Sequence, residues 1–241
     1  MAAALVIGAG DATGGAIASA FAAQGLTACV NRRPRNAEQL EALAQSIRDK
    51  GFDARAYPAD ARDEEAMIAM VDAIENEVGP IEVAVFNIGA NVRFSITETS
   101  AQVYRKVWEM ACFGGFLMGR EVAKRMVTRQ RGTILYTGAT ASLRGGSGFS
   151  AFSGAKAALR MLAQSMAREL GPQNIHVAHI VIDGGIDTAF IRGIRPDFEA
   201  MKANDGVLSP DQIATNYVML HNQHRSAWTH ELDLRPWTES F

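Results

Sequence analysis

The chain has 241 residues, 24 basic and 26 acidic side chains, a formal net charge of -2, and 48% hydrophobic against 21% charged residues. That length and balance suit one globular domain over residues 1–241 and exclude a disordered or fibrous chain. So weak a charge gives no field for nucleic acid or an anionic membrane surface, and no apolar run approaches the roughly 20 residues that a membrane helix needs.

Taken in chain order, the opening apolar residues 1–7 carry no basic flank and run into Gly8 rather than a cleavage site, so a strand is expected at 4–7. Gly8, Gly10, Asp11, Ala12, Thr13 and Gly14 follow as a glycine-rich turn opening a helix near 14–24. Such a turn bends sharply, lets backbone approach a diphosphate and aims a helix N-terminus at negative charge; it also serves as a plain strand-to-helix connection. The second strand, 27–31, ends on Asn31-Arg32-Arg33, where a site selective for NAD would place a carboxylate. Two guanidiniums there suit a 2′-phosphate and favour NADP(H) over NAD(H). A solvated basic loop is the alternative, and Asp11 beside the same phosphate weighs against NADP(H).

A helix near 36–50 and a strand at 54–57 lead to Asp60 and Ala61, with Asp60 fit either to accept from an adenine amino group or to cap the helix near 62–78. The fourth strand, 82–86, ends on Asn87, Ile88 and Gly89, and one long helix is expected over 100–127. After a strand at 133–137, the helix at 150–170 carries Phe149, Phe152, Leu159, Leu162, Met166 and Leu170 as an apolar stripe, with Lys156 on the same face. An ammonium pressed against phenyl rings needs a polar partner, such as ribose hydroxyls, unless it snorkels to the surface. The strand at 175–181 gives way to an aperiodic segment, 183–206, expected to act as a substrate lid over the carboxyl ends of the strands. Ser209-Pro210 reads as a capped start for a helix at 210–220, and a last strand falls at 231–234. Strands alternating with helices imply an α/β class: a doubly wound Rossmann fold, seven-stranded and mostly parallel, with helices on both faces. Cys29 and Cys112 lie in apolar segments, which suits buried thiols in a reducing cytoplasm, and no histidine spacing suggests a metal site.

The order of these landmarks resembles the short-chain dehydrogenase/reductase family over nearly the whole chain. Gly8 and Gly14 match the outer glycines of its first motif, with Ala12 in the middle position and Ile7 in place of the preceding threonine. Asn87 and Gly89 match its asparagine-rich loop, Asp60 its aspartate after the third strand, and Thr188, with Gly184 and Ile186, the segment that holds the nicotinamide carboxamide. The family uses a tyrosine as proton donor or acceptor, a lysine four residues later on the nicotinamide ribose, a serine 13 residues earlier and a supporting asparagine. Here Lys156 is present, but Phe152 stands for the tyrosine, Ala139 for the serine, and Ala111 at or next to the asparagine. Phenylalanine transfers no proton. A variant with tyrosine seven residues before the lysine also fails, because that position is Phe149. Hydroxyls at Thr140, Ser142, Ser150 and Ser153 read as caps and loop hydrogen bonders before they read as catalysts. The resemblance therefore implies an NAD(P)-dependent oxidoreductase acting on a small carbonyl, alcohol or activated alkene by a non-standard proton route. The alternative is an inactive NADP(H)-binding sensor or partner subunit. It also implies a homodimer or homotetramer built on the helices at 100–127 and 150–170.

Overall fold

The computed structural model describes residues 1–10 and 12–239, so Asp11 lies outside the described residues. Seven strands, β1 (Ala3–Ile7), β2 (Thr27–Asn31), β3 (Ala54–Ala56), β4 (Ile81–Phe86), β5 (Gly132–Thr137), β6 (Ile175–Ile182) and β7 (Glu231–Leu234), form one sheet in the order β3-β2-β1-β4-β5-β6-β7. Every pairing between these strands is parallel. The continuous apolar runs explain this. All five residues of β1 are buried, as a strand covered on both faces requires.

Side chains alternate between two cores. Val6, Val83, Val85 and Ile180 pack under α1 (Thr13–Ala23), α2 (Ala37–Arg48) and α9 (Pro210–His221). Leu5, Ile7, Ala84 and Phe86 pack under α3 (Glu64–Glu77), α5 (Gly114–Arg129) and α6 (Ser150–Leu170). The chain reverses its direction of winding between β1 and β4, where Asn87 N donates to Ile7 O at 2.9 Å. That switch point opens a crevice at the carboxyl ends of the strands. No described helix is long and apolar enough to cross a membrane.

Four local expectations need correction. The helix expected over 100–127 is instead α4 (Ala101–Trp108), a π-helical turn at Glu109–Phe113, and α5. Just after that turn Gly115 lies between the sheet and α6, where a Cβ would meet Phe86 Cδ1 at 3.2 Å and Leu159 Cδ1 at 2.6 Å. The aperiodic segment contains two short helices, α7 (Ala189–Ile194) and α8 (Phe198–Ala203), with Phe198 buried beneath them. Pro210 occupies the first turn of α9 as expected, but Ser209 makes no side-chain cap among the described residues. Asp63, not Asp60, caps α3 by accepting from Ala66 N at 3.0 Å.

Candidate active site

The glycine turn is fixed from both neighbouring strands. Gly8 N and Ala9 N donate to Asn31 O at 3.0 Å each, and Asn87 Nδ2 donates to Gly8 O at 3.2 Å. Gly8 has φ +79°, and a Cβ there would also meet Asn87 O at 2.9 Å. A Cβ on Gly14 would stand 2.7 Å from Ala9 Cα, so glycine lets α1 start directly against the turn. Gly10 and Gly89, in contrast, border open space. The first turn of α1 carries no acidic side chain, which leaves its N–H groups and positive dipole end available to a diphosphate. These features fit a dinucleotide. Gly14→Ala is expected to weaken NADPH binding at least about tenfold and to lower the thermal midpoint, since the new methyl must displace backbone. Calorimetry and a melting curve check both effects.

At the end of β2, Asn31 is buried and spends its amide on the chain itself, donating to Tyr57 O at 2.8 Å and Ala59 O at 3.1 Å. Its side chain shapes the cleft rather than facing it. Beyond it, burial pushes the Arg33 guanidinium below its usual range, and the neighbouring charges of Arg35, Arg62 and Arg32 add to the effect while Asp60 opposes it. A cluster of like charges of this kind gains from an anion. Asp60 is forked by Arg62, with Nε to Oδ1 at 3.0 Å and Nη2 to Oδ2 at 2.6 Å, and those bonds hold its carboxyl well below the usual range. Ala61 is buried against the start of α5.

The crevice widens into a cavity of about 580 Å³. Thr13, Asn87, Ile88 and Gly89 line one side; Thr137 to Ala141 line another; Phe149, Phe152 and Lys156 of α6 form the floor, with Gly184, Ile186 and Thr188 opposite. Lys156 does not snorkel. It is 2% exposed, and its Nζ donates to Thr137 O at 2.7 Å and Ile88 O at 2.9 Å, so two strand ends supply its polar partners. Burial pushes this ammonium down to about 7, with Cys112 opposing. The Phe152 ring centroid lies 6.0 Å from Nζ. Ala139 also lines the cavity, whereas Ala111 is fully buried in the π turn. Thr188 caps α7, accepting from Ile191 N at 3.2 Å.

The cavity thus brings together Lys156 and the residues at the family's tyrosine and serine positions. It also contains contacts that nothing in the local sequence indicates. Ser153, expected as a cap or loop hydrogen bonder, borders the cavity as well. Thr140 donates its hydroxyl hydrogen bond to Asp183 Oδ1. Asp183 is 3% exposed, its N–H donates to Leu234 O at 2.8 Å, and Arg235 Nη2 stands 3.3 Å from its Oδ2. The one local hint is the acidic residue standing just before Gly184.

A family model described as short chain dehydrogenase matches residues 2–198. The chain belongs to the short-chain dehydrogenase family. Among curated relatives, the 2,3-dihydro-2,3-dihydroxybenzoate dehydrogenase of Bacillus subtilis (strain 168) is 32% identical over 186 residues, which cover 77% of this chain and 70% of that one. A 2-dehydro-3-deoxy-D-gluconate 5-dehydrogenase of Formosa agariphila is 29% identical over 174 residues, or 72% of this chain and 66% of that one. The matched stretch therefore spans about two thirds of these relatives. A crystal structure of a short-chain dehydrogenase from Rhodopseudomonas palustris is 46% identical, with a TM-score of 0.84 over 98% of this chain and 99% of that one. This short-chain dehydrogenase thus has the fold of an oxidoreductase family, while Arg235 lies beyond the stretch that the family model matches.

Proposed function

We propose that this short-chain dehydrogenase is an NADP(H)-dependent oxidoreductase of small hydroxy or keto acids, working by a proton route that bypasses position 152. The observation that carries this reading is the buried Lys156, held between the ends of β4 and β5 at the floor of a cavity that adjoins the glycine turn. When bound, the nicotinamide supplies hydride transfer. The chain's own residues do the rest. Gly8 to Gly14 present backbone and a helix end to the diphosphate, Arg32 and Arg33 face the 2′-phosphate, and Lys156 offers its ammonium to ribose hydroxyls. Asn87 braces the turn through Gly8 O. At the cavity rim, Asn91 and the exposed Arg144 suit a carboxylate, in keeping with the acids named for the two curated relatives.

Calorimetry with NADPH and NADH tests the cofactor, and a panel of hydroxy and keto acids tests turnover. Replacing both Arg32 and Arg33 by serine is expected to weaken NADPH about 10- to 100-fold, the worth of one or two charge-assisted hydrogen bonds, and NADH hardly at all. Equal losses for both nucleotides would assign the arginines to folding instead. A second reading, a dinucleotide-binding protein without turnover, draws on Ala111, Ala139 and Phe152, three positions without a polar side-chain atom. NADPH binding with no acid turned over across the panel would favour it.

A further inference from the structure

We propose that Thr140 and Asp183 form the proton relay of this cavity, a role that rests on the oxidoreductase reading above. Thr140 is the lining residue whose hydroxyl is hydrogen-bonded to a carboxylate among the described residues. The hydroxyls of Thr137, Thr188 and Ser142 are committed differently. Thr137 Oγ1 is bonded to the Tyr217 hydroxyl at 2.7 Å, Thr188 Oγ1 caps α7, and Ser142 Oγ accepts from Ala139 N at 3.0 Å. Ser153 Oγ is buried with no hydrogen-bond partner among the described residues, so nothing beyond it takes a proton onward.

The geometry gives the two residues different parts. Because Thr140 donates to Asp183 Oδ1, the lone pairs of its oxygen remain for a substrate hydroxyl in the cavity. Asp183 sits behind it, 3% exposed and outside the cavity lining, and a carboxylate so buried requires a cation and hydrogen bonds. Arg235 supplies the cation and Thr140 the hydroxyl. Arg235 is itself shared with Asp233 and also feels Glu239. From the turn at Thr140–Ser142 comes the Thr140 hydroxyl, and Lys156 lies across the cavity.

In alcohol oxidation the substrate O–H bond breaks and its proton passes to Thr140 Oγ1, while Thr140's own proton passes to Asp183 Oδ1. The electron pair of the broken O–H bond forms the carbonyl as the neighbouring C–H bond releases a hydride to the oxidised nicotinamide. Asp183 ends protonated, the substrate oxidised and the dinucleotide reduced. Reduction runs the same transfers backwards. Thr140 touches the substrate and is the catalytic residue; Asp183 acts through it.

The test uses the full chain with D-gluconate and cyclohexanol as probe alcohols, and Thr140→Val, Thr140→Ser, Asp183→Asn and Asp183→Glu as variants. Thr140→Val and Asp183→Asn are expected to lower kcat/KM for oxidation about 100-fold or more, the usual worth of a positioned acid or base. Thr140→Ser is expected to rescue most of that loss. Asp183→Glu, which keeps a carboxylate behind Thr140, is expected to recover part of the loss seen in Asp183→Asn. Without turnover, the affinity of either alcohol for the NADPH-loaded protein should fall about tenfold in Thr140→Val, while NADPH affinity stays at the wild-type value. A Thr140→Val protein that oxidises at the wild-type rate overturns the relay. Wild-type protein that binds NADPH yet oxidises neither alcohol also overturns it, with the cofactor reading intact; absence of any NADPH binding overturns both.

Discussion

Replacing Lys156 by methionine is expected to weaken NADPH binding at least about tenfold while making the folded chain more resistant to urea at and below neutral pH. The binding loss follows from removing a charged donor beside the ribose site, where one such bond is worth roughly 1.5–3 kcal/mol. The stability gain follows from burial. Lys156 is 2% exposed, and burial lowers its folded value from 10.5 to about 7. The unfolded chain therefore holds this proton more firmly, so stability rises with pH between about 7 and 10.5, and the penalty is fully present below 7. At about 1.4 kcal/mol per pH unit the ceiling on that penalty is roughly 4–5 kcal/mol. Methionine also strips Ile88 O and Thr137 O of their shared donor, which offsets part of the gain and leaves a net of about 1–2 kcal/mol. Urea midpoints at pH 6.5 and 9.5 decide the matter. The advantage of the variant should shrink as pH rises, and parallel pH slopes in the two proteins would show that Lys156 carries no burial penalty.

The second large effect is a gain. Installing tyrosine at Phe152 together with serine at Ala139 is expected to raise carbonyl reduction about 100-fold or more, because a positioned general acid contributes roughly 10²–10⁴. Both positions line the cavity, and the Phe152 ring already stands 6.0 Å from the ammonium that would lower a phenol's pKa. Because both side chains line the cavity, the added hydroxyls can be met there by solvent or substrate. Neither single substitution is expected to match the pair, since one supplies the proton and the other holds the oxygen receiving it. Steady-state reduction of a keto-acid panel reads the outcome. If the gain persists in a Thr140→Val background, the phenol and the Thr140 relay are separate routes; no gain in either background would place the substrate away from position 152.

Much of the molecule is legible from local sequence. The alternation of short apolar runs with helical stretches gives the seven strands to within a residue or so at each end, because strands buried on both faces must be apolar throughout. The glycine turn is legible for the same local reason: where a Cβ would strike backbone, as at Gly8 and Gly14, only glycine fits. The break between α4 and α5 is not, since the 3.6-residue apolar pattern runs on through the π turn and the close approach of Gly115 to Leu159 is a tertiary contact.

Sequence by itself thus determined the doubly wound sheet, the glycine turn at its switch point and the absence of a polar side-chain atom at positions 111, 139 and 152. These depend on residue type and on spacing within one segment. Tertiary structure alone decided what Lys156 and Asp183 are bonded to. Lys156 finds its acceptors 68 and 19 residues away, and Asp183 meets a threonine 43 residues earlier and an arginine on the far side of β7. Burial makes those partners obligatory, because a charged group withdrawn from water must be met by whatever polar atoms the fold brings alongside it, and no local pattern records which atoms those are.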